Sequence, residues 1–228
     1  MEISMEKHQS GKLFRYERKY NLDLNKSEIF KKFLIEKNFH TIYKKRKVVS
    51  VYFDTLDYKF FRDNIEGVCN RIKARIRWYE TLNNKKIISE PILEIKEKNG
   101  FVGSKQNFRI SNFKKKKLDF KDFQLNNEIS NRVYFNVFPI LIVSYEREYY
   151  LNYNKKFRAT VDTNLNVISL NNKKIKLKIN KEIMEIKYNL EFDDDYRNQI
   201  INKNFKFRNQ KFSKYVVSLL NLKKNALL

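Results

Sequence analysis

Four cations fall on alternate residues in Arg71-Ile72-Lys73-Ala74-Arg75-Ile76-Arg77-Trp78, with apolar residues between and after them. Successive side chains of an extended chain point to opposite faces, so this octet predicts a strand with one cationic and one apolar face. Like charges at i, i+2, i+4 and i+6 repel unless counter-charge lies between them. A strand built this way lines something anionic. Taken alone, such a strand reads more readily as the solvated outside of a sheet, so the decision rests on what else shares the pattern. Residues 92–98 set Glu94, Lys96 and Lys98 against Leu93, Ile95 and Glu97, and residues 13–21 set Arg15, Glu17 and Lys19 against Phe14, Tyr16 and Tyr20, with Arg18 breaking the apolar side. One carboxylate recurs on several strands, as Glu17, Glu94, Asp162 and Glu185. Cations in excess with an occasional carboxylate suit phosphate oxygens together with a hard metal ion.

The elements that must position these residues are mostly strands. Beyond the three just named, residues 48–53 are β-branched and aromatic, 58–62 read as a short continuation, and Asn99-Gly100 offers a type I′ turn into a return strand over 101–110 that carries Lys105 and Arg109. Residues 139–151, 156–162 and 183–191 follow as strands, with a short hairpin near Asn171-Asn172. Ser27 is an N-cap candidate for an amphipathic helix over 27–38, the polar segment 112–132 reads as partly helical, and helices over 194–203 and 212–222 close the chain. This is an α+β pattern on an antiparallel sheet, read as one domain over residues 1–228. Charged alternation on many strands has two solutions: a sheet with one solvated face, or a closed barrel with polar side chains inward. The mixed sign of the polar faces favours the second.

Composition narrows the chemistry further. Lys and Arg number 49 against 26 Asp and Glu, giving a net charge of +23, which attracts nucleic acid, polyphosphate or anionic lipid. Cys69 is the one cysteine and only His8 and His40 are imidazoles, so an internal disulfide is excluded and a structural zinc site is not expected. Any metal must sit on carboxylates. Residues 1–12 lack the apolar core of a signal peptide, and the apolar run 137–143 is far short of the ~20 residues that span a bilayer. A soluble protein of the reducing cytoplasm, without membrane insertion, is the expectation. Gly11, Gly67, Gly100 and Gly103 are the only glycines and make no phosphate-cradling loop, so side chains must hold any nucleotide.

The segments Phe14-Arg-Tyr-Glu-Arg-Lys-Tyr20, Val51-Tyr-Phe-Asp-Thr55, Ala74-Arg-Ile-Arg-Trp-Tyr79, Leu93-Glu-Ile-Lys96, Ser144-Tyr-Glu-Arg147, Arg158-Ala-Thr-Val-Asp162, Glu185-Ile-Lys-Tyr188 and Phe212-Ser-Lys-Tyr215 resemble, in order, the motif series of the VTC (vacuolar transporter chaperone) domain. That domain is the polyphosphate polymerase branch of the triphosphate tunnel metalloenzymes. The resemblance implies an eight-stranded, tunnel-like antiparallel β-barrel with flanking helices. It implies Lys19, Arg75, Arg77, Lys96, Arg147 and Lys214 as phosphate ligands, with Lys105 and Arg158 as additions, and Arg75, Arg77 and Lys214 as the catalytic set. It also implies Mn²⁺ or Mg²⁺ on Glu185, with Glu17 as a second carboxylate. The family reaction passes the γ-phosphoryl group of ATP to a growing polyphosphate. With water as acceptor the same site is a triphosphatase.

One departure stands out. The hydrolase and cyclase branches open with Glu-x-Glu-x-Lys, whereas Arg15-Tyr16-Glu17-Arg18-Lys19 has a cation in place of the first carboxylate, which shifts metal binding towards Glu185. Three other readings compete: a triphosphate hydrolase, a non-catalytic polyphosphate-binding module, and a nucleic-acid binder. The last is disfavoured because the aromatics lie opposite the cations in strand alternation and no helix-turn-helix, zinc knuckle or RNP-like motif is present. Glu17 and Glu94 could equally serve as salt-bridge partners, and it is the resemblance that favours Glu185 as the metal ligand over the same reading. Lys44–Lys47 and Lys114–Lys117 read as solvated loops, with docking of an emerging polyanion as the minor alternative.

Overall fold

A computed structural model describes residues 5–8, 15–23, 26–83, 89–100, 102–110, 123–170, 175–201, 205 and 207–226. Among these residues ten strands form one sheet: β1 (Met5–His8), β2 (Arg15–Leu22), β3 (Phe39–Asp54), β4 (Arg71–Glu80), β5 (Ile92–Asn99), β6 (Val102–Ile110), β7 (Phe138–Asn152), β8 (Arg158–Ser169), β9 (Lys176–Ile179) and β10 (Glu182–Asn189). The order is β1-β6-β5-β4-β3-β7-β8-β10-β2, with β9 paired to β8 off that path, and every pairing is antiparallel. The α-helices among the described residues are α1 (Ser27–Glu36), α2 (Lys59–Glu66), α3 (Phe123–Val133), the single turn α4 (Asp193–Asp195), which a 3-10 turn over Leu190–Phe192 precedes and a π-helical turn over Tyr196–Ile200 follows, and α5 (Lys214–Ala226). No helix among the described residues is long and apolar enough to cross a membrane.

The expectation of an eight-stranded closed barrel is corrected: the path ends at β1 and β2, which do not pair with each other among the described residues. The sheet nevertheless curls, because residues of β2 and of β5, far apart in strand order, line one cavity. On the free side of β2, Asn209 bridges to Tyr20, and the Gln210 N–H donates to the Lys19 carbonyl at 2.8 Å. A segment from the end of the chain thus covers part of an edge that would otherwise present open backbone groups.

Three apolar clusters hold the layers. Inside the curl, Val48, Tyr52, Leu141, Val143 and Tyr145 meet Phe212, Tyr215, Leu219 and Leu222 of the α5 region. Outside it, Val49, Val51, Ala74, Ile76 and Trp78 meet Phe60 of α2 and Ile129 and Val133 of α3, and Val161, Met184 and Ile186 meet Phe30, Phe33 and Leu34 of α1. On β4 the apolar parity therefore faces helices and the cationic parity faces the interior.

Local chemistry redirects several expected elements. Residues 58–62 are not strand: Asp54 accepts the backbone N–H groups of Thr55, Phe60 and Phe61 at 2.8, 2.8 and 3.0 Å, and so opens helix α2 from the end of the preceding strand. Ser27 does not cap α1 with its side chain; instead its N–H donates to Glu182 Oε2 at 2.8 Å, a carboxylate placed where the helix dipole favours it. Lys44–Lys47 belong to β3 and are not a loop. The β5–β6 turn lies one residue later than expected, with Asn99 paired to Val102 and Gly100 in the left-handed region at φ 57°. The hairpin near Asn171-Asn172 and the run Lys114–Lys117 lie outside the described residues.

The Asp54 carboxylate also accepts the Tyr215 hydroxyl at 2.5 Å, tying α2 to α5. Burial pushes its acid up against the opposing pull of those four donors. Asp54→Ala strands buried donors and is expected to lower unfolding free energy by about 3 kcal/mol in denaturant titrations, with Tyr215→Phe costing about 1 kcal/mol.

Candidate functional site

A cavity of about 150 Å³ opens on the concave face of the sheet. Eight cations reach it: Lys19 from β2, Lys73, Arg75 and Arg77 from β4, Lys96 from β5, Arg147 from β7, Lys187 from β10 and Lys214 from the first turn of α5. Among the described residues Glu17, Glu94 and Glu185 oppose them from its lining, and Asp162 stands behind Arg147 and Lys214. Strand alternation produces this convergence. Every second residue of β4 and β10 projects inward, and antiparallel register sets Arg75 beside Glu94, Lys73 beside Lys96, and Glu185 beside Lys19.

The carboxylates divide into two kinds. Glu94, 2% exposed, takes three cations at once: Arg75 Nε at 2.6 Å, Arg77 Nη2 at 2.6 Å and Lys105 Nζ at 2.6 Å. Burial alone would raise its acid, and the three cations outweigh it and hold the group well below the usual carboxylate range. Asp162 does the same for the far wall, with a two-pronged bond from Arg147 (2.5 and 2.7 Å) and one from Lys214 Nζ (2.6 Å). These short bonds orient guanidinium groups whose five donors are not exhausted by one carboxylate. Tyr52 and Tyr145 add ring faces, with Lys214 Nζ 4.5 Å from the Tyr145 centroid and the Arg75 guanidinium 5.9 Å from that of Tyr52.

Glu17 and Glu185 are held differently. Lys19 Nζ stands 4.0 and 3.9 Å from them and Lys187 Nζ 3.5 and 3.4 Å, and the two carboxyl groups also lie against each other. Burial pushes both acids up, but Lys187 and neighbouring lysines outweigh it and hold both below the usual carboxylate range. No group of three or more His, Cys, Asp and Glu poised for a metal exists among the described residues. The donor set therefore fits a hard divalent ion that takes two carboxylates and completes its shell with phosphate oxygens and water, and it does not fit a self-sufficient protein cage. Such an ion, held by Glu185 and Glu17, would supply charge neutralisation at bridging phosphate oxygens.

Residues 14–223 match the model of the VTC domain. The chain belongs to that family. None of the curated proteins matches this VTC chain. Two solved structures share its fold: a candidate adenylate cyclase from Vibrio parahaemolyticus, at TM-score 0.53 and 13% identity over 90% of this chain and 98% of the other, and one from Bacillus halodurans, at TM-score 0.53 and 15% identity over 88% and 94%.

Of the residues singled out from the sequence, Lys19, Arg75, Arg77, Lys96, Arg147, Lys214, Glu17 and Glu185 all line the cavity of this VTC domain. Lys105 stands behind it on Glu94. Arg158 does not join them: it begins β8, paired with Leu151 and Lys187, and is exposed. The sequence placed Lys73 on the cationic face of its strand without naming it a phosphate ligand, and assigned no role to Lys187, which shares the parity of Glu185.

Two cavity amines are poorly proton-binding. Burial, reinforced by Lys19, Lys96 and Arg71, brings Lys73 down to about 7, and burial against the opposing pull of Glu17 brings Lys96 down to about 8. Both values lie below that of a free lysine, so the empty cavity loses protons as pH rises through this window and a bound polyanion restores them. Tripolyphosphate binding is therefore expected to take up protons and to weaken as pH rises from about 7 to about 8. Calorimetry in buffers of different ionisation enthalpy measures the uptake, which Lys73→Met should diminish.

Proposed function

We infer that this VTC domain is a metal-dependent polyphosphate polymerase, a cytoplasmic phosphotransferase acting on ATP and polyphosphate. The observation that carries the reading is the convergence of eight cations from five strands and one helix on a single cavity with three carboxylates. A linear run of phosphates, dense in negative charge along its length, is the ligand that such a lining complements. Membership of the VTC family supports the same substrate class.

In this reading Arg75 and Arg77, fixed by Glu94, grip the γ-phosphoryl oxygens, and Lys214, fixed by Asp162, closes on them from the α5 side. The bond from the γ-phosphorus to its bridging oxygen breaks as a terminal oxygen of the polyphosphate chain attacks, so ADP leaves and the chain grows by one phosphate. Phosphoryl transfer needs placement and charge stabilisation more than covalent participation by the protein. Lys19, Lys73, Lys96, Arg147 and Lys187 hold the flanking phosphates. Glu17 and Glu185 hold Mn²⁺ or Mg²⁺.

Purified protein incubated with ATP and Mn²⁺, its products resolved on a gel, separates the candidate activities. The polymerase reading expects long chains. Free phosphate alone would replace it with a triphosphatase, and tight tripolyphosphate binding without turnover with a binding module. Arg75→Ala with Arg77→Ala is expected to lower turnover by about a thousandfold, and unchanged turnover would remove both assignments. Glu185→Gln should raise the Mn²⁺ concentration needed for half-maximal rate.

A further inference from the structure

A second cavity, of about 570 Å³, lies beyond the first and is lined by Tyr43, Lys44, Lys45, Arg46, Thr81, Leu82 and Asn83. The two are linked by a row of cations and rings. Arg77 lies 5.6 Å from the Tyr79 centroid and Arg147 5.9 Å from that of Tyr149, while the Arg46 guanidinium sits 4.7, 4.8 and 4.8 Å from the centroids of Tyr79, Tyr149 and Tyr43.

The backbone is shaped to make this row. In β3, Tyr43 pairs with Tyr149 and Arg46 with Arg147, so three steps on β3 oppose two on β7, which is a β-bulge. Residues an odd number of steps apart normally face opposite ways. The bulge turns both Tyr43 and Arg46 to the concave face, directly beside cavity residue Arg147. Lys45 points elsewhere, to Glu146 at 2.6 Å, and Lys44 is exposed. The Arg46 Nε is buried and has no hydrogen-bond partner among the described residues. A guanidinium caged by three rings, with an unused buried donor and no carboxylate paired to it among the described residues, is set to receive an anion.

We propose that Arg46 and Lys44 form an outer subsite for a linear polyphosphate whose leading end occupies the catalytic cavity, so that the protein distinguishes long chains from triphosphates. The inference rests on the reading of the first cavity as a phosphate site and adds chain-length recognition to it. Arg46 and Lys44 at the second cavity argue for a continued polyanion over a neutral base or an apolar group.

The test is equilibrium binding without metal or nucleotide, so that turnover plays no part, using tripolyphosphate and a polyphosphate of several tens of units as probes. Arg46→Ala with Lys44→Ala is expected to weaken long-chain binding about tenfold per chain and to leave tripolyphosphate within about twofold. Lys44→Ala alone, at an exposed position, should give a smaller loss in the same direction, and Arg46→Lys tests the fork against the charge without emptying the ring cage. Equal loss for both probes, or no loss for either, overturns the subsite while leaving the first cavity intact. Failure of the unaltered protein to bind either probe overturns the phosphate reading and the subsite with it. A single-stranded DNA oligomer that competes as well as long polyphosphate would assign the row to nucleic acid and also overturn the proposal.

Discussion

The structure depends on unbalanced charge held in place. Eight cations in one cavity would drive its walls apart if left bare, and two buried carboxylates counter this by gathering four of them: Glu94 takes Arg75 and Arg77, with Lys105 behind the wall, and Asp162 takes Arg147 and Lys214. The remaining excess is relieved by proton loss, because Lys73 and Lys96 hold their protons less firmly than free amines. Charge is thus concentrated at fixed positions where geometry matters and made adjustable where it does not. The stability for this arrangement comes from elsewhere, from the three apolar clusters that surround the polar face.

Those clusters also aim the site. The apolar parity of β4 is locked against α2 and α3, which leaves its cationic parity no choice but the interior. Helix α5 is fastened by Tyr215 to Asp54 and by Phe212, Leu219 and Leu222 to the inner cluster, and the residue before Tyr215 is the one that enters the cavity. A buried hydrogen bond one residue from Lys214 sets its direction more firmly than the flexible side chain could alone.

Much of this was legible in the sequence because period-two alternation is a direct record of facing. Lys73, Arg75 and Arg77, Glu94 and Lys96, and Glu17 and Lys19 were readable as shared faces, and the structure places all seven on one cavity. What was not legible arises from contacts made across the fold. The helix at Phe60 and Phe61 looks like strand until Asp54 is seen to accept their amides. Ser27 looks like a cap until Glu182, 155 residues away, takes that place. The bulge that turns Arg46 inward depends on register with β7, and no local pattern encodes it. Arg158 shares a motif with Asp162, but it starts its strand and stays exposed, whereas Asp162 is buried with Arg147 and Lys214.

The unpaired margins of the sheet carry a consequence for how the chamber behaves. In a closed hoop of strands, girth is set by strand number and stagger. Here the margin at β2 is sealed instead by Asn209 and Gln210, four or five residues ahead of the lysine that α5 delivers. Zipper and plug are one stretch of chain. Loosening the zipper would widen the chamber and withdraw a cation in the same movement, so the girth of the chamber and the place of its eighth cation are set together.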